Sequence, residues 1–296
     1  MSHLMDEIAS QPEIWSTAIN LAAASSTAEA LPAAGARVAV IGCGSSLNVA
    51  RCYARLREAA GHGETDAYPA SELTQTRRYD HMVLISRTGT TSEVLAALQE
   101  IPPGVRTTSL TADSSAPLAN ETSGVVLLDF ADERSVVSSR FITATIALLR
   151  AFLGEDLSGL PHEAERALAS PLPPELAERK EFTFLGRGWA APVADEAALK
   201  LREASRTWAE SYPAMEYRHG PVAVTGPGSV VWFLGSAPDG IAAEAVRAGG
   251  FAWTGSAEPL AELVRAQRLA VELATARGLD PDRPRHLTRS VILAPR

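Results

Sequence analysis

The chain has 296 residues, 46% of them hydrophobic, and a formal net charge of −8, which allows two ordinary domains or one large one around a sizeable core. The acidic balance argues against a general nucleic-acid or anionic-membrane surface, so an anionic ligand needs a local site of backbone amides, hydroxyls and a few arginines. No run reaches the ~18 apolar residues of a membrane-spanning helix, and the polar, acidic start MSHLMDEIASQPE is unlike a signal peptide, so the expected location is cytoplasmic.

In chain order, an Ala-rich amphipathic helix is predicted over about Leu4–Ala28, then a short apolar strand over Arg37–Ile41. That strand runs into Gly42-Cys43-Gly44-Ser45-Ser46, and a helix follows to about Ala60. Cys43 and Cys52 form no CxxC or Cys/His cluster, so reduced thiols and no metal are expected. A second strand, Met82–Ile85, ends in Ser86-Arg87-Thr88-Gly89-Thr90-Thr91 before a helix over Ser92–Gln99. Arg106–Leu110 and Gly124–Leu128 read as strands, Ser139–Leu153 and Glu163–Ala169 as helices, and Pro171, Pro173 and Pro174 as a linker.

The second half restarts in the same way, with strand Phe182–Leu185, turn Gly186-Arg187-Gly188 and helix Ala190–Thr207. VIGCGSSLNVARCYARLREA and FLGRGWAAPVADEAALKLREA both read strand–GxG–helix and both close on Leu-Arg-Glu-Ala, which indicates an internal repeat. After strand Ser229–Leu234 only helices over about Ile241–Arg247 and Leu260–Arg277 remain, so the second copy reads as abridged. The expected fold is α/β: two tandem domains, 1–170 and 175–296, each a mainly parallel sheet flanked by helices.

In open parallel sheets ligands bind beyond the carboxyl ends of the strands. Two such ends here are rich in hydroxyls and glycine and each opens a helix, where free N–H groups favour an anion. Helix capping alone can account for such loops, and Thr90-x-x-Glu93 fits a capping box; two loops on neighbouring strands go further. Gly42-x-Gly44 is followed by Leu47 where a dinucleotide fingerprint has its third glycine, and no Walker A lysine motif is present. The pattern suits a small monophosphate ester.

Glu196, Lys200 and Glu203 are spaced i, i+4, i+7 and share one face of the predicted helix. Such a stripe is ordinarily a solvated face with weak ion pairs. Of 27 basic residues, however, only Lys180 and Lys200 are lysines, and a compact, deprotonatable ammonium is one role that arginine does not fill. Glu216-Tyr217-Arg218-His219-Gly220-Pro221 follows, so a carboxylate, an ammonium and an imidazole lie within one helix and one loop.

These pieces, taken in order, resemble the sugar isomerase (SIS) family in tandem, above all the isomerase half of glutamine–fructose-6-phosphate aminotransferase, and also stand-alone amino-sugar-phosphate deaminase/isomerases. The likeness runs through Gly42–Ser46, Ser86–Thr91, Val137-Ser138-Ser139-Arg140, Phe184–Gly188, Glu196–Glu203, Glu216–Pro221 and Asp282–Val291. The resemblance implies phosphate binding by Ser46, Ser86, Arg87, Thr88 and Thr91, with Ser45 in the same loop. It implies contacts from Ser138 and the Val136 backbone to the sugar hydroxyls. It implies Glu203 as the base at C2, Lys200 beside it, and His219 as the ring-opening acid/base supplied by the other subunit of a homodimer. No metal or organic cofactor is implied, and no nucleic-acid or membrane partner. Without a glutaminase segment in the sequence, glutamine is not the expected ammonia source.

Three positions depart from the aminotransferase half: Arg87 stands where it has Gln, Arg140 where it has Lys, and Arg289 where it has a lysine at the ketose carbonyl. Arginine forms no Schiff base, so transamination of fructose 6-phosphate is not expected, and Arg289 is carried as a substrate-binding candidate. The expected chemistry is ring opening and C2 proton abstraction on glucosamine 6-phosphate or N-acetylglucosamine 6-phosphate, giving isomerisation or deamination. Two alternatives are β-elimination of water from the N-acetylated sugar and a non-catalytic sugar-phosphate sensor.

Overall fold

The computed structural model describes residues 2–73 and 77–294, and the chain separates into two compact units. One comprises Glu13–Glu133, Arg140–Gly159 and the tail from Thr288; the other comprises the N-terminal segment to Pro12, Arg134–Ser139 and Leu160–Leu287. The division does not follow a single cut at the proline linker, because three short stretches are exchanged between the halves of the sequence.

The expected long N-terminal helix is three helices, α1 (His3–Ala9), α2 (Gln11–Ala22) and α3 (Ser25–Ala30). Ser10 closes α1, and Pro12 falls in the first turn of α2, where a missing N–H costs nothing but an uninterrupted helix could not pass through it.

In the first unit, strands β1 (Val38–Gly42), β2 (Thr65–Pro69), β3 (His81–Ile85), β4 (Arg106–Thr111) and β5 (Gly124–Leu127) form a parallel sheet of order β2-β1-β3-β4-β5. Its helices are α4 (Ser45–Ala59), α5 (Ser92–Gln99), α6 (Pro117–Glu121) and α7 (Arg140–Phe152). Every residue of β1 and β3 is buried, as expected for central strands covered on both faces. Ala39, Ile41, Met82, Leu84, Val94, Leu98 and Leu118 pack into one core cluster, each large aliphatic contributing about 1.5–3 kcal/mol on burial.

In the second unit, helices α8 (Leu160–Ala169), α9 (Ala190–Lys200), α10 (Ile241–Arg247) and α11 (Pro259–Ala276) accompany strands β6 (Glu181–Gly186), β7 (Trp208–Pro213), β8 (Ser229–Leu234) and β9 (Phe251–Thr254). The sheet is again parallel, in the order β7-β6-β8-β9, the same second–first–third–fourth order as the larger sheet. Leu185, Val231, Phe233, Ile241 and the ring of Tyr217 form its core cluster. Glu262 of α11 is fully buried and accepts from the indole N–H groups of Trp232 and Trp253 at 2.9 and 2.8 Å, joining that helix to β8 and β9.

The two strand–GxG–helix openings share one physical device. A Cβ on Gly42 would lie 2.7 Å from the Ser46 carbonyl carbon, and one on Gly186 would lie 2.0 Å from the Ala190 carbonyl oxygen. In each, the strand's last residue must be glycine so that the next helix can begin directly against it.

Strands β2, β7 and β9 were not anticipated, and the helix expected to run to Thr207 ends at Lys200. From there the backbone widens into a π turn, Leu201–Ser205, which closes on Arg206 in the left-handed region at φ 56°. Arg277 at the end of α11 fixes that turn by donating to the Ser205 carbonyl (2.6 Å) and Thr207 Oγ1 (2.7 Å).

Candidate active site

In the first unit the loops Gly42–Ser46 and Ser86–Thr91 leave the carboxyl ends of β1 and β3, which are adjacent in the sheet. In the order 2-1-3-4-5 the connections diverge between β1 and β3, which makes this the topological switch point where such sheets bind ligands. Neither following helix is capped by a side chain: the N-cap of α4 is Gly44 at φ 53°, and that of α5 is Thr91 rather than Thr90. The capping-box explanation of Thr90 and Glu93 therefore does not describe this loop. Ser86 Oγ instead takes the Gly89 amide (3.1 Å) and pairs with Thr91 Oγ1 (3.1 Å), while Gly89 takes φ 62° where a Cβ would strike Ala116. Ser45, Ser46, Thr88 and Thr91 are half-buried and Ser86 is buried. This supplies hydroxyls around two helix starts, suited to a phosphate.

Cys43, inside the first loop, is pushed up to about 11 by burial and by the carboxylate of Glu93, so it is an unreactive thiol at neutral pH.

Arg87 is placed differently from the other loop residues. Its guanidinium is buried and donates to Glu133 Oε2 at 2.8 Å. Arg289, on the tail, makes a two-pronged contact with the Asp132 carboxylate at 2.5 and 2.8 Å. Ser290 accepts from Thr88 Oγ1 (3.2 Å) and Thr90 Oγ1 (3.0 Å). A cavity of about 760 Å3 opens here, lined among others by Thr88, Asp113, Asp132, Arg289 and Ser290.

In the second unit, Lys200 closes α9 with its ammonium 3.2 Å from Glu196 and 2.6 Å from Glu203. The solvated-stripe expectation fails here: the side chains of Glu196 and Lys200 are 1% and 2% exposed, while Glu203 keeps 20%. Burial alone would lower the Lys200 pKa, but the two carboxylates outweigh it and hold the ammonium above its usual value. Lys200 is thus a fixed cation rather than a readily deprotonated amine. Glu203, within the π turn, is the member of the trio with access to solvent.

Val136 and Ser138 belong to the segment Arg134–Ser139 of this unit. The carboxylate of Glu7 on α1 takes the amides of Arg134 (2.5 Å) and Ser135 (3.2 Å). The Val136 amide donates to the Asp282 carbonyl at 3.0 Å, and the Asp282 carboxylate caps α1 through the amides of His3 and Leu4, both at 2.8 Å. His219 is exposed at the end of a 3-10 turn, Ala214–His219. Its neighbours anchor that turn: Tyr217 OH pairs with Thr225 (2.7 Å), and Arg218 reaches both oxygens of Glu244 at 2.7 and 2.8 Å.

Sequence reasoning left Asp132, Glu133 and Glu7 aside, and each is an acid that organises a candidate segment. Their only signal was position, beside or opposite a segment already singled out. Among the described residues, no cluster of three or more His, Cys, Asp or Glu side chains could hold a metal, and no helix is long and apolar enough to cross a membrane.

No protein-family model matches the chain. It is 28% identical over 299 residues to the glutamine–fructose-6-phosphate aminotransferase of Sulfolobus acidocaldarius, covering 86% of this chain and 50% of that protein. It is 31% identical over 317 residues to the Thermus thermophilus aminotransferase, covering 86% and 52%. The chain therefore spans about half the length of these curated relatives. Among solved structures, glucosamine-6-phosphate deaminase from Thermotoga maritima superposes with a TM-score of 0.82 at 25% identity, over 99% of this chain and all of that one. The chain is a relative of the sugar isomerase (SIS) family. The SIS fold recurs in the C-terminal domain of the Francisella tularensis glucosamine–fructose-6-phosphate aminotransferase, with a TM-score of 0.80 at 21% identity over 96% of this chain and 98% of that one. With these solved structures the chain shares an α/β fold of parallel sheets flanked by helices.

Proposed function

We propose that the chain acts on an amino-sugar 6-phosphate, opening its ring and abstracting the C2 proton to give aldose–ketose isomerisation or deamination. The observation that carries this reading is Glu203, a partly exposed carboxylate held 2.6 Å from a buried, protonated lysine. It is a base supported by a fixed cation that can also stabilise an enediolate oxygen. The uncapped starts of α4 and α5, with Ser45, Ser46, Ser86, Thr88 and Thr91, take the phosphate. Arg87 contributes through its place in the loop, its guanidinium being engaged by Glu133. Val136 and Ser138 meet the sugar hydroxyls, and His219 from a second copy of the chain opens the ring, in a cytoplasmic homodimer of two tandem SIS-type domains. Glu203 takes the proton from C2, and its return to C1 completes isomerisation. The deaminase named for the Thermotoga maritima structure supports the choice of an amino sugar.

A second outcome follows from Arg289. Its guanidinium is occupied by Asp132, and arginine cannot carry amination at a ketose carbonyl. With an N-acetylated sugar the C2 carbanion would then expel the C3 hydroxyl as water. Proton NMR in D2O with glucosamine 6-phosphate and N-acetylglucosamine 6-phosphate tests the reading. Loss of the H2 signal is expected with at least one sugar, and a new vinylic signal would assign elimination. Persistence of both H2 signals would overturn this reading and leave a binding protein or a different sugar.

A further inference from the structure

The three arginines at which the sequence departs from the aminotransferase half converge on one dipeptide, Asp132-Glu133. Arg87 donates to Glu133 Oε2 at 2.8 Å, in a pair whose side chains are 7% and 0% exposed, and to the carbonyl of Arg289 at 3.3 Å. Arg140 gives its backbone amide to Glu133 Oε1 at 2.7 Å and its Nε to the Asp132 carbonyl at 3.0 Å. Arg289 binds the Asp132 carboxylate with one nitrogen across both oxygens. The phosphate loop, the start of α7 and the tail are thereby tied to two adjacent residues within one compact unit.

The tie has a direction. With Arg289 fixed, Ser290 accepts from Thr88 and Thr90, the Ser92 amide donates to the Val291 carbonyl (3.1 Å), and the Leu293 amide donates to Ser92 Oγ (2.9 Å). The tail therefore lies along the loop from Thr88 to Ser92, and every contact in that run follows Arg289 in sequence. An exposed ion pair alone is weak. This one sits at the point where the tail reaches the loop, and the Arg87 contact to the Arg289 carbonyl reinforces it.

We propose that Asp132 and Arg289 are positioning residues: the pair seats the tail so that Thr88 and its neighbours are held in the arrangement that takes the phosphate. This rests on the phosphate role proposed above. On this account Arg289 acts through Asp132 and does not touch the sugar.

Glu133 is unsuited to the test, since losing it strands a buried guanidinium and threatens the fold; Asp132 is the residue to vary. For Asp132→Ala in the full chain, hydrogen exchange at the Ser92 amide should quicken about two- to five-fold, the scale of one exposed ion pair. The dissociation constant for inorganic phosphate and the KM for the hexosamine 6-phosphate should rise by about the same factor, with kcat unchanged. Arg289→Ala should match it, and adding Arg289→Ala to Asp132→Ala should cost nothing more. Asp132→Arg combined with Arg289→Asp should restore both exchange and affinity. The proposal is overturned if Asp132→Ala leaves Ser92 exchange unaltered, or if Arg289→Ala costs the same in the wild type and in Asp132→Ala. A wild-type chain that binds neither inorganic phosphate nor a hexosamine 6-phosphate would sink the phosphate reading, and with it the binding role proposed for the pair; Ser92 exchange would then decide only whether the pair seats the tail.

Discussion

Lys200 Nζ and Glu203 Oε2 meet at 2.6 Å across the point where α9 gives way to a π turn. The last regular residue of the helix carries the cation, and the widened turn carries the carboxylate that keeps access to solvent. Single π turns are concentrated at functional sites, and here the distortion coincides with the one member of the Glu196–Lys200–Glu203 set that can reach a ligand.

Glu203→Gln should abolish exchange of the C2 proton while leaving the fold intact, because the amide oxygen still accepts from Lys200. A positioned general base contributes about 10²–10⁴-fold, so a loss of that size is expected in kcat with an unchanged melting temperature. A residual rate within about ten-fold of wild type would remove Glu203 from the chemistry.

Lys200→Met should be a stability mutation as much as a catalytic one. It leaves Glu196, 1% exposed, buried without its counter-ion, at a cost of about 3–5 kcal/mol. Pairing it with Glu196→Gln should recover most of that loss in urea denaturation, because the stranded charge goes too. Activity should not return with the stability.

His81 gives the fold a pH dependence with a definite sign. Burial, with Arg106 and Arg57 nearby, pushes its pKa down to about 4, and its Nε2 lies 2.8 Å from Thr108 Oγ1. The folded state holds the ring neutral, whereas the unfolded chain takes up a proton near pH ~6.5. The contribution is therefore fully present above about pH 6.5 and is lost as pH falls toward 4, on the order of 3 kcal/mol in total. Denaturation curves between pH 7 and 4 should show the decline, and His81→Gln should flatten it. A wild-type curve that is flat across this window would contradict the assignment.

Alanine at either strand-ending glycine should destabilise, and unequally. The added methyl meets backbone at 2.7 Å in Gly42→Ala and at 2.0 Å in Gly186→Ala, so the helix that follows must shift. Overpacking of this kind costs about 1–3 kcal/mol, with Gly186 at or above the upper end. Thermal melts of the two variants give the order directly, and equal melting temperatures would mean that the helix starts are softer than the contacts indicate.

The strands that the sequence concealed lie at sheet edges, although the edge strand β5 was legible. The central strands β1, β3 and β8 are fully buried apolar runs, and their positions were legible to within a residue. The strands overlooked, β2, β7 and β9, all lie at an edge. Thr65–Pro69 and Trp208–Pro213 mix polar residues with a closing proline, and Phe251–Thr254 is four residues long, so none has the apolar run or alternation that marks a strand. In the site, the spacing of Glu196, Lys200 and Glu203 correctly put them on one face. Spacing could not show that this face turns inward, because burial depends on how α9 packs on β6 and β7. The phosphate role of Arg87 was implied by the resemblance. Its ion pair with Glu133 was not legible, because Glu133 is distant in sequence and no local pattern connects the two.

The exchanged segments also bear on how the chain is made. Residues 1–12 and 134–139 lodge in the unit built mostly from the later sequence, while the stretch from Thr288 onward completes the earlier one. On the ribosome, the larger sheet can form well before Arg289 and Ser290 emerge, yet its Ser86–Thr91 loop waits for them. Glu7 meets the amides of Arg134 and Ser135 only after more than a hundred further residues have emerged. Vectorial synthesis usually lets an N-terminal domain finish first; here the earlier unit waits for the stretch from Thr288, and the later one for the residues up to Leu287.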